Sequence, residues 1–498
     1  MPRLAALCGS LLLATTVAAC GTVQNVPDDV PPVDVAQDLP VAVRPAEPGL
    51  RSVMWVGNNW DGTASIVDAN SLEVLKRGVN LIPDKAQEKQ AILLNPVSTV
   101  FYLAINAGPG QGHDQYVDDM FTTMDGKYLA VSRPSFADVV WIDIAKATAG
   151  RTDSIVREQQ MDGYRTDHMQ ISNDGRRLLV SDSTKRQVIE YSMVNATVDG
   201  KAIKLGDRLR TFPSGETPHE SNYTEDGERI LHASIGRVYT PVDDVNPVDG
   251  TLLGLSLNKF GLGGLVPILS KLPWDVLDEA VKADRWLQYV ATDDFEVLER
   301  WNIGHELAEA GHPGMSSAVR PVAVHPAGRY LYLQVSFLHG YVVFDTQAAD
   351  LNGTMDYTLG GETEPTTGAV VDVVQLENRV PNMLLEQYVN DSAHHGLAIS
   401  ADGETLCAAG TMDDYAALVD SETGEATYFD ETTTGHHYGK PYWTTEGLNE
   451  TCWVSLSDDD AVAVLSTDTM EEVAYLPVGN HPQRVRHGYV PELLAAAW

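Results

Sequence analysis

The residues with the clearest chemical potential recur at corresponding points of a repeated pattern. They are Asp119, Asp167, His168, His219, Glu220, Arg320, His394, His395, Lys440 and His481. Counted back from the turn that follows each of them, they fall at or just before the opening strand of successive repeats. Imidazole and carboxylate groups converging from separate segments suit a divalent metal, with His168, His219 and His395 as candidate ligands. Imidazole favours Zn, Cu or Fe, and carboxylate admits Mn or Ca. Arg320 and Lys440 suit an anionic group, or the oxyanion formed if a metal-bound water attacks a lactone or ester. The same positions also read as a metal-free ligand or catalytic site, or as a merely hydrated polar rim with structural histidines. Serine hydrolysis finds no support, because there is no Gly-X-Ser-X-Gly elbow and GMSSA around Ser316 lacks a strand-to-helix setting. No Cys-X-X-Cys-His haem attachment is present either.

The elements that must carry these residues repeat along the chain. Each copy has a polar opening, an apolar strand, an acidic-Gly turn, a second strand, a short gap and a third strand. Clear copies are DHMQISNDGRRLLVSDSTKRQVIEYSM from Asp167, HPAGRYLYLQVSFLHGYVVFDT from His325 and HHGLAISADGETLCAAGTMDDYAALVDSETGEATYF from His394. The pairs Asp125-Gly126, Asp174-Gly175, Asp226-Gly227 and Asp402-Gly403 supply the positive φ that tight hairpins need. Runs such as LLVSD, YLYLQVS and VVWIDI are apolar at nearly every residue, as expected for strands sandwiched between neighbouring sheets.

The first copy, from Ser52, lacks an opening strand, whereas the last segment, HPQRVRHGYV from His481, is an opening strand without followers. Residues 482 to 490 therefore complete the first repeat and close a ring, the expectation for a seven-bladed all-β propeller. The segments WVGNNWDGTASIVDANSLEV and DDAVAVLSTDTMEEVAYLPVGNHPQ resemble the YVTN or YncE-type β-propeller repeat, over about residues 52 to 490. That resemblance implies the fold and leaves the chemistry open, since the pattern serves scaffold, lactonase-like and binding proteins alike.

Residues 1 to 19 read as an export leader closing on Val17-Ala18-Ala19-Cys20, which resembles a lipobox with Cys20 as the lipidated residue. The Pro- and Asp-rich stretch 20 to 50 is expected to be a disordered tether, 51 to 490 the propeller, and 491 to 498 a tail. The chain is then a lipoprotein of the cell envelope, attached to its membrane through lipid alone. Cys407 and Cys452, in equivalent strands of successive repeats, either pair as a disulfide or remain two buried thiols. With 34 Lys and Arg against 70 Asp and Glu, the net charge of -36 disfavours nucleic acid as a partner.

Two insertions interrupt the array. Residues 84 to 117 contain AGPGQGHDQ, read as a flexible loop because no phosphate-binding context surrounds it. Residues 243 to 284 are apolar, with helical spacing from Trp274 to Trp286, and read as a lid, a docking surface or a packed excursion. The first reading of function is a binding module taking a small ligand or protein at the channel mouth. The alternative is a metal-dependent hydrolase or oxidoreductase built on the same residues.

Overall fold

The computed structural model describes residues 48–198, 201–236, 286–312, 315, 318–349, 367–384, 387–388, 390 and 392–498. Seven four-stranded antiparallel sheets form the blades of a propeller. The innermost strands of the second to seventh blades are Asp119–Thr122, Thr166–Ile171, Pro218–Tyr223, Val319–Val324, Leu397–Ile399 and Pro441–Gly447. The first blade takes its innermost strand from the far end of the chain, because Pro482–Pro491 pairs antiparallel with Leu50–Asn58. The ring closure expected from the sequence is therefore present, and it leaves the first blade no unpaired inner edge.

Local chemistry explains the hairpins. In the four Asp-Gly turns the Gly φ lies between +64° and +80°, a region that costs glycine little. The preceding Asp accepts from the backbone N–H two residues on, as with Asp125 and Lys127 or Asp402 and Glu404. It also accepts from a hydroxyl two residues back, Thr123, Ser172, Thr224 or Ser400.

Second strands such as Arg177–Asp182 and Thr451–Leu456 are buried at every position because a blade packs on either face. The outermost strand Ile155–Gln160 instead alternates half-buried with exposed, since water reaches one side. The apolar clusters accordingly lie between blades, as where Trp141, Met169, Leu178, Val180 and Tyr191 join the second blade to the third.

The first insertion departs from the expected flexible loop. It folds into two helices, α1 (Lys85–Leu94) and α2 (Pro96–Ala107). Asn95 caps α2 by accepting from the N–H groups of Val97 and Ser98, and Pro96 fills the first helical position. The Gly-rich turn after α2 is closed by Gly110 N–H to Ile105 O at 2.8 Å and Gly112 N–H to Asn106 O at 2.7 Å. Its Asp114 is held by Lys89, Asn106 and Tyr116, so glycine here serves close approach and not looseness.

The second insertion and the leader and tether through residue 47 lie outside the described residues, except that Trp286, expected to end a helix, begins the strand Trp286–Ala291. The tail is docked: Glu492 pairs with Arg51 and Trp498 packs on the first core cluster. Among the described residues no single helix is long and apolar enough to cross a membrane.

Cys407 and Cys452 form a disulfide joining the second strands of the sixth and seventh blades across 45 residues. Replacing both by Ser should lower stability by about 2–4 kcal/mol while leaving the fold intact, measurable by denaturant unfolding. Deleting residues 482–498 should instead abolish cooperative unfolding and protease resistance. A truncated chain with a wild-type melting transition would overturn the structural importance of closure.

Candidate functional site

The candidate site lies where the inner strands begin, called here the near mouth. The ladders break there repeatedly, as the register shifts between Thr166 and Met169, Pro218 and Ser221, Val319 and Val322, and Pro441 and Trp443. A fifth shift leaves Gln483 unpaired opposite Gly57 and Asn58. A β-bulge turns side chains out of the pleat, so Asp167, His168, His219, Glu220, Arg320 and Tyr442 fall within bulges. The backbone groups released by bulging are taken up by the preceding blade. Ser181 donates to His219 O at 2.6 Å, Ser455 to Gln483 O at 2.8 Å and Ser457 to Pro482 O at 2.7 Å. Gln334 of the fifth blade both donates to and accepts from the backbone of Gly396, at the start of the sixth. A Cβ on Gly396 would lie 2.8 Å from Thr444 N and 2.9 Å from Trp443 Cα, so this inner strand approaches its neighbour only as glycine.

Three imidazoles converge. The His168 and His219 ring centroids are 3.8 Å apart, and His395 lies 6.4 Å and 6.0 Å from them. All three are buried, and desolvation, reinforced by nearby guanidinium groups, pushes them well below the usual imidazole range. Arg484 donates to His168 Nε2 and stacks 3.6 Å from the Trp443 ring. Arg320 donates to Asn390 O at 2.5 Å and Ser336 Oγ at 3.2 Å. Asp167 accepts from Ser183 at 2.7 Å, with Arg165 at 3.4 Å. Burial raises both Asp118 and Glu220 to about 7.

Two of the expected residues tie blades together. Asp119 accepts both Arg486 N–H groups, at 2.8 and 2.7 Å, and the N–H of Met169 at 3.1 Å, linking three blades. Glu220, the corresponding residue two blades on, accepts from Val322 N at 3.2 Å and from Asn222 at 3.3 Å. On the other side of Trp443 and Arg486, a cavity of about 340 Å³ occupies the end of the channel where the inner strands finish.

Three expected residues belong to other groups. His394 sits with His339 on one oxygen of Asp413, at 3.0 and 2.6 Å, and His339 also meets Tyr388 at 2.8 Å. Adjacent residues of an extended segment face opposite sides, so His395 takes the channel and His394 the space between blades. Lys440 donates to Gln111 at 2.7 Å, beneath the Gly-rich turn. His481 stacks on Trp60 at 3.6 Å, with His113 on the other face at 3.8 Å. Burial lowers the pKa values of Lys440 and His481, the latter to about 3.

Sequence reasoning passed over Arg484, Arg486, Tyr442 and Trp443. The alternation in HPQRVRHGYV, already read as an opening strand, places both arginines on one face and was the available signal. Tyr442 and Trp443 carried no comparable signal, since an aromatic pair after Lys-Pro reads as core.

No protein-family model matches the chain, and no curated protein matches it. Among solved structures it is similar to hydrazine synthase from Kuenenia stuttgartiensis (12% identity, 86% of this chain and 99% of that one, TM-score 0.48). It is also similar to a periplasmic gluconolactonase from Pseudomonas aeruginosa (13%, 88% and 99%, 0.46). A third is the Cps50 (Swd1) β-propeller domain from Myceliophteria thermophila (11%, 88% and 98%, 0.42). At this level of similarity they assign neither activity nor ligand.

An NMR titration should show the His168, His219 and His395 resonances flat from about pH 5 to 8, because a lowered pKa leaves them neutral throughout. Exposed His437, raised by its hydrogen bond to Asp459, should titrate in the same spectra with a midpoint above the ordinary imidazole value. Asp119→Ala should destabilise the fold by about 3–5 kcal/mol, since it strands the Arg486 guanidinium. A silent substitution in denaturant unfolding would contradict the blade-tying role.

Proposed function

We propose that the protein is an exported, lipid-anchored binding propeller whose near mouth takes a small polar ligand. The observation that carries this reading is a set of buried polar atoms with no hydrogen-bond partner among the described residues. They are Nδ1 of His168, His219 and His395, Asp118 Oδ2, and Nε and Nη1 of Arg484. Buried polar groups are ordinarily satisfied, and a ring of them from five blades is the pattern of a recognition site. A Cys20-linked lipid and the tether from residue 20 would hold this site near an envelope membrane.

A second reading is favoured by one specific feature. Ligand atoms of Asp167, His168 and His219 all lie within 4.8 Å of one another, compatible with a divalent ion and with metal-assisted hydrolysis. Against it, the His168 Nε2 lone pair is engaged by Arg484.

A thermal-shift screen of small polar metabolites on the wild type and on His168→Ala/His219→Ala/His395→Ala tests both. Ligands should stabilise the wild type and not the variant. Stabilisation that survives the three substitutions would place binding elsewhere and defeat the proposal. Stoichiometric metal after purification without chelator, lost with His168→Ala and His219→Ala, would establish the second reading in its place.

A further inference from the structure

Resting on the near-mouth reading above, we infer that the ligand held there is a monoanionic carboxylate bearing hydroxyl groups, seated on Arg484. This side chain is 1% exposed, yet its Nε and Nη1 groups, which carry three of the five guanidinium N–H bonds, have no acceptor among the described residues. Its nearest carboxylate oxygen, Asp118 Oδ1, is 4.0 Å away, beyond hydrogen-bond range. A buried guanidinium with most of its donors unpaired is costly, and a planar carboxylate is the anion that matches those donors.

The surroundings fix the charge and the polarity of the guest. Arg484 occupies His168 Nε2 as a donor, so the proton of this neutral imidazole sits on Nδ1, which becomes a further donor without a partner. Arg320, on the inner strand of the fifth blade, adds its positive charge beside His219 and His395. Asp118, Asp167 and Glu220 stand against a dianion, since a doubly charged phosphate would face three carboxyl groups at short range. A monoanionic carboxylate needs only the unpaired donors of Arg484. Asp118 Oδ2 and the Nδ1 atoms of His219 and His395 then remain to meet hydroxyl groups, which both donate and accept. A cation has the wrong sign for Arg484 and must compete with it for His168.

Isothermal titration of the full chain with glycolate, lactate and a six-carbon aldonate, beside inorganic phosphate, a neutral hexose and Zn²⁺, tests this. We expect the carboxylates to bind, the aldonate most tightly, and phosphate at least about tenfold more weakly. Arg484→Met should weaken carboxylate binding by about 100-fold or more, the effect of removing one member of a buried charge pair. Arg484→Lys should recover part of it, because the charge returns without the planar fork. Circular dichroism and melting curves identify variants that fail to fold. For those, His219→Gln provides the second test, and the preference for aldonate over glycolate should shrink. Binding of the hexose or of Zn²⁺ in place of carboxylates, abolished by His168→Ala and His219→Ala, would overturn the carboxylate inference and leave the near-mouth site standing. If no probe binds and the metabolite screen is also blank, both fall.

Discussion

The pairing of residues at the two ends of the chain is the constraint on which the rest depends. Leu50–Asn58 offers an edge that only Pro482–Pro491 fills, and filling it brings the first and seventh blades into contact around one axis. Ser455 and Ser457 of the seventh blade then reach the carbonyls of Gln483 and Pro482, and Arg486 reaches Asp119 of the second blade. A single strand thus belongs to one blade by its ladder, to the seventh by its carbonyls and to the second by the Arg486 side chain. Without it, Arg484 would have no ring to enter and the histidines of the third, fourth and sixth blades would lack their central cation.

The bulges reconcile two opposed demands. A propeller needs continuous ladders to satisfy its backbone, while a recognition site needs side chains aimed along the axis and not into the blade interfaces. Skipping one or two residues at the start of an inner strand meets the second demand at the expense of the first, and leaves backbone groups short of partners. The hydroxyl and amide side chains Ser181, Ser455, Ser457 and Gln334 repair that loss from the neighbouring blade. Ser181 and Ser455 lie on second strands buried at every position, and Gln334 on one buried at all but its first residue, which explains why serine and glutamine appear among otherwise apolar runs.

Titratable groups divide by whether they are satisfied. Asp413, with His339 and His394 donating to it, is held down to about 2 despite its burial, and joins Tyr388 in a polar cluster between blades. Asp119 is likewise saturated by its donors. Asp118, His168, His219, His395 and Arg484 each retain at least one unpaired atom. Similar residue types a few positions apart thereby take different roles: Asp119 and Asp413 fix the ring, and the unpaired atoms at the near mouth face whatever enters it.

Much of the architecture was legible in the chain itself. Asp-Gly turns, unbroken apolar second strands and a terminal strand without followers are local signals, set by φ preference, burial on two faces and the need to cover an edge. They determined the blade grammar, the ring closure and which segments would carry polar groups to its mouth. The two-helix excursion between residues 84 and 117 was less legible, because the glycines after its second helix suggest looseness until Asn106 and Ile105 are seen to bind them. Tertiary structure alone decided which members of each polar pair face the axis, because a bulge shifts the phase of alternation and leaves little local mark in sequence. It separated His395 from His394, sent Lys440 and His481 beneath the Gly-rich turn, and placed Arg484 at the centre. That last placement depends on the distance around a closed ring, a quantity no window of sequence contains.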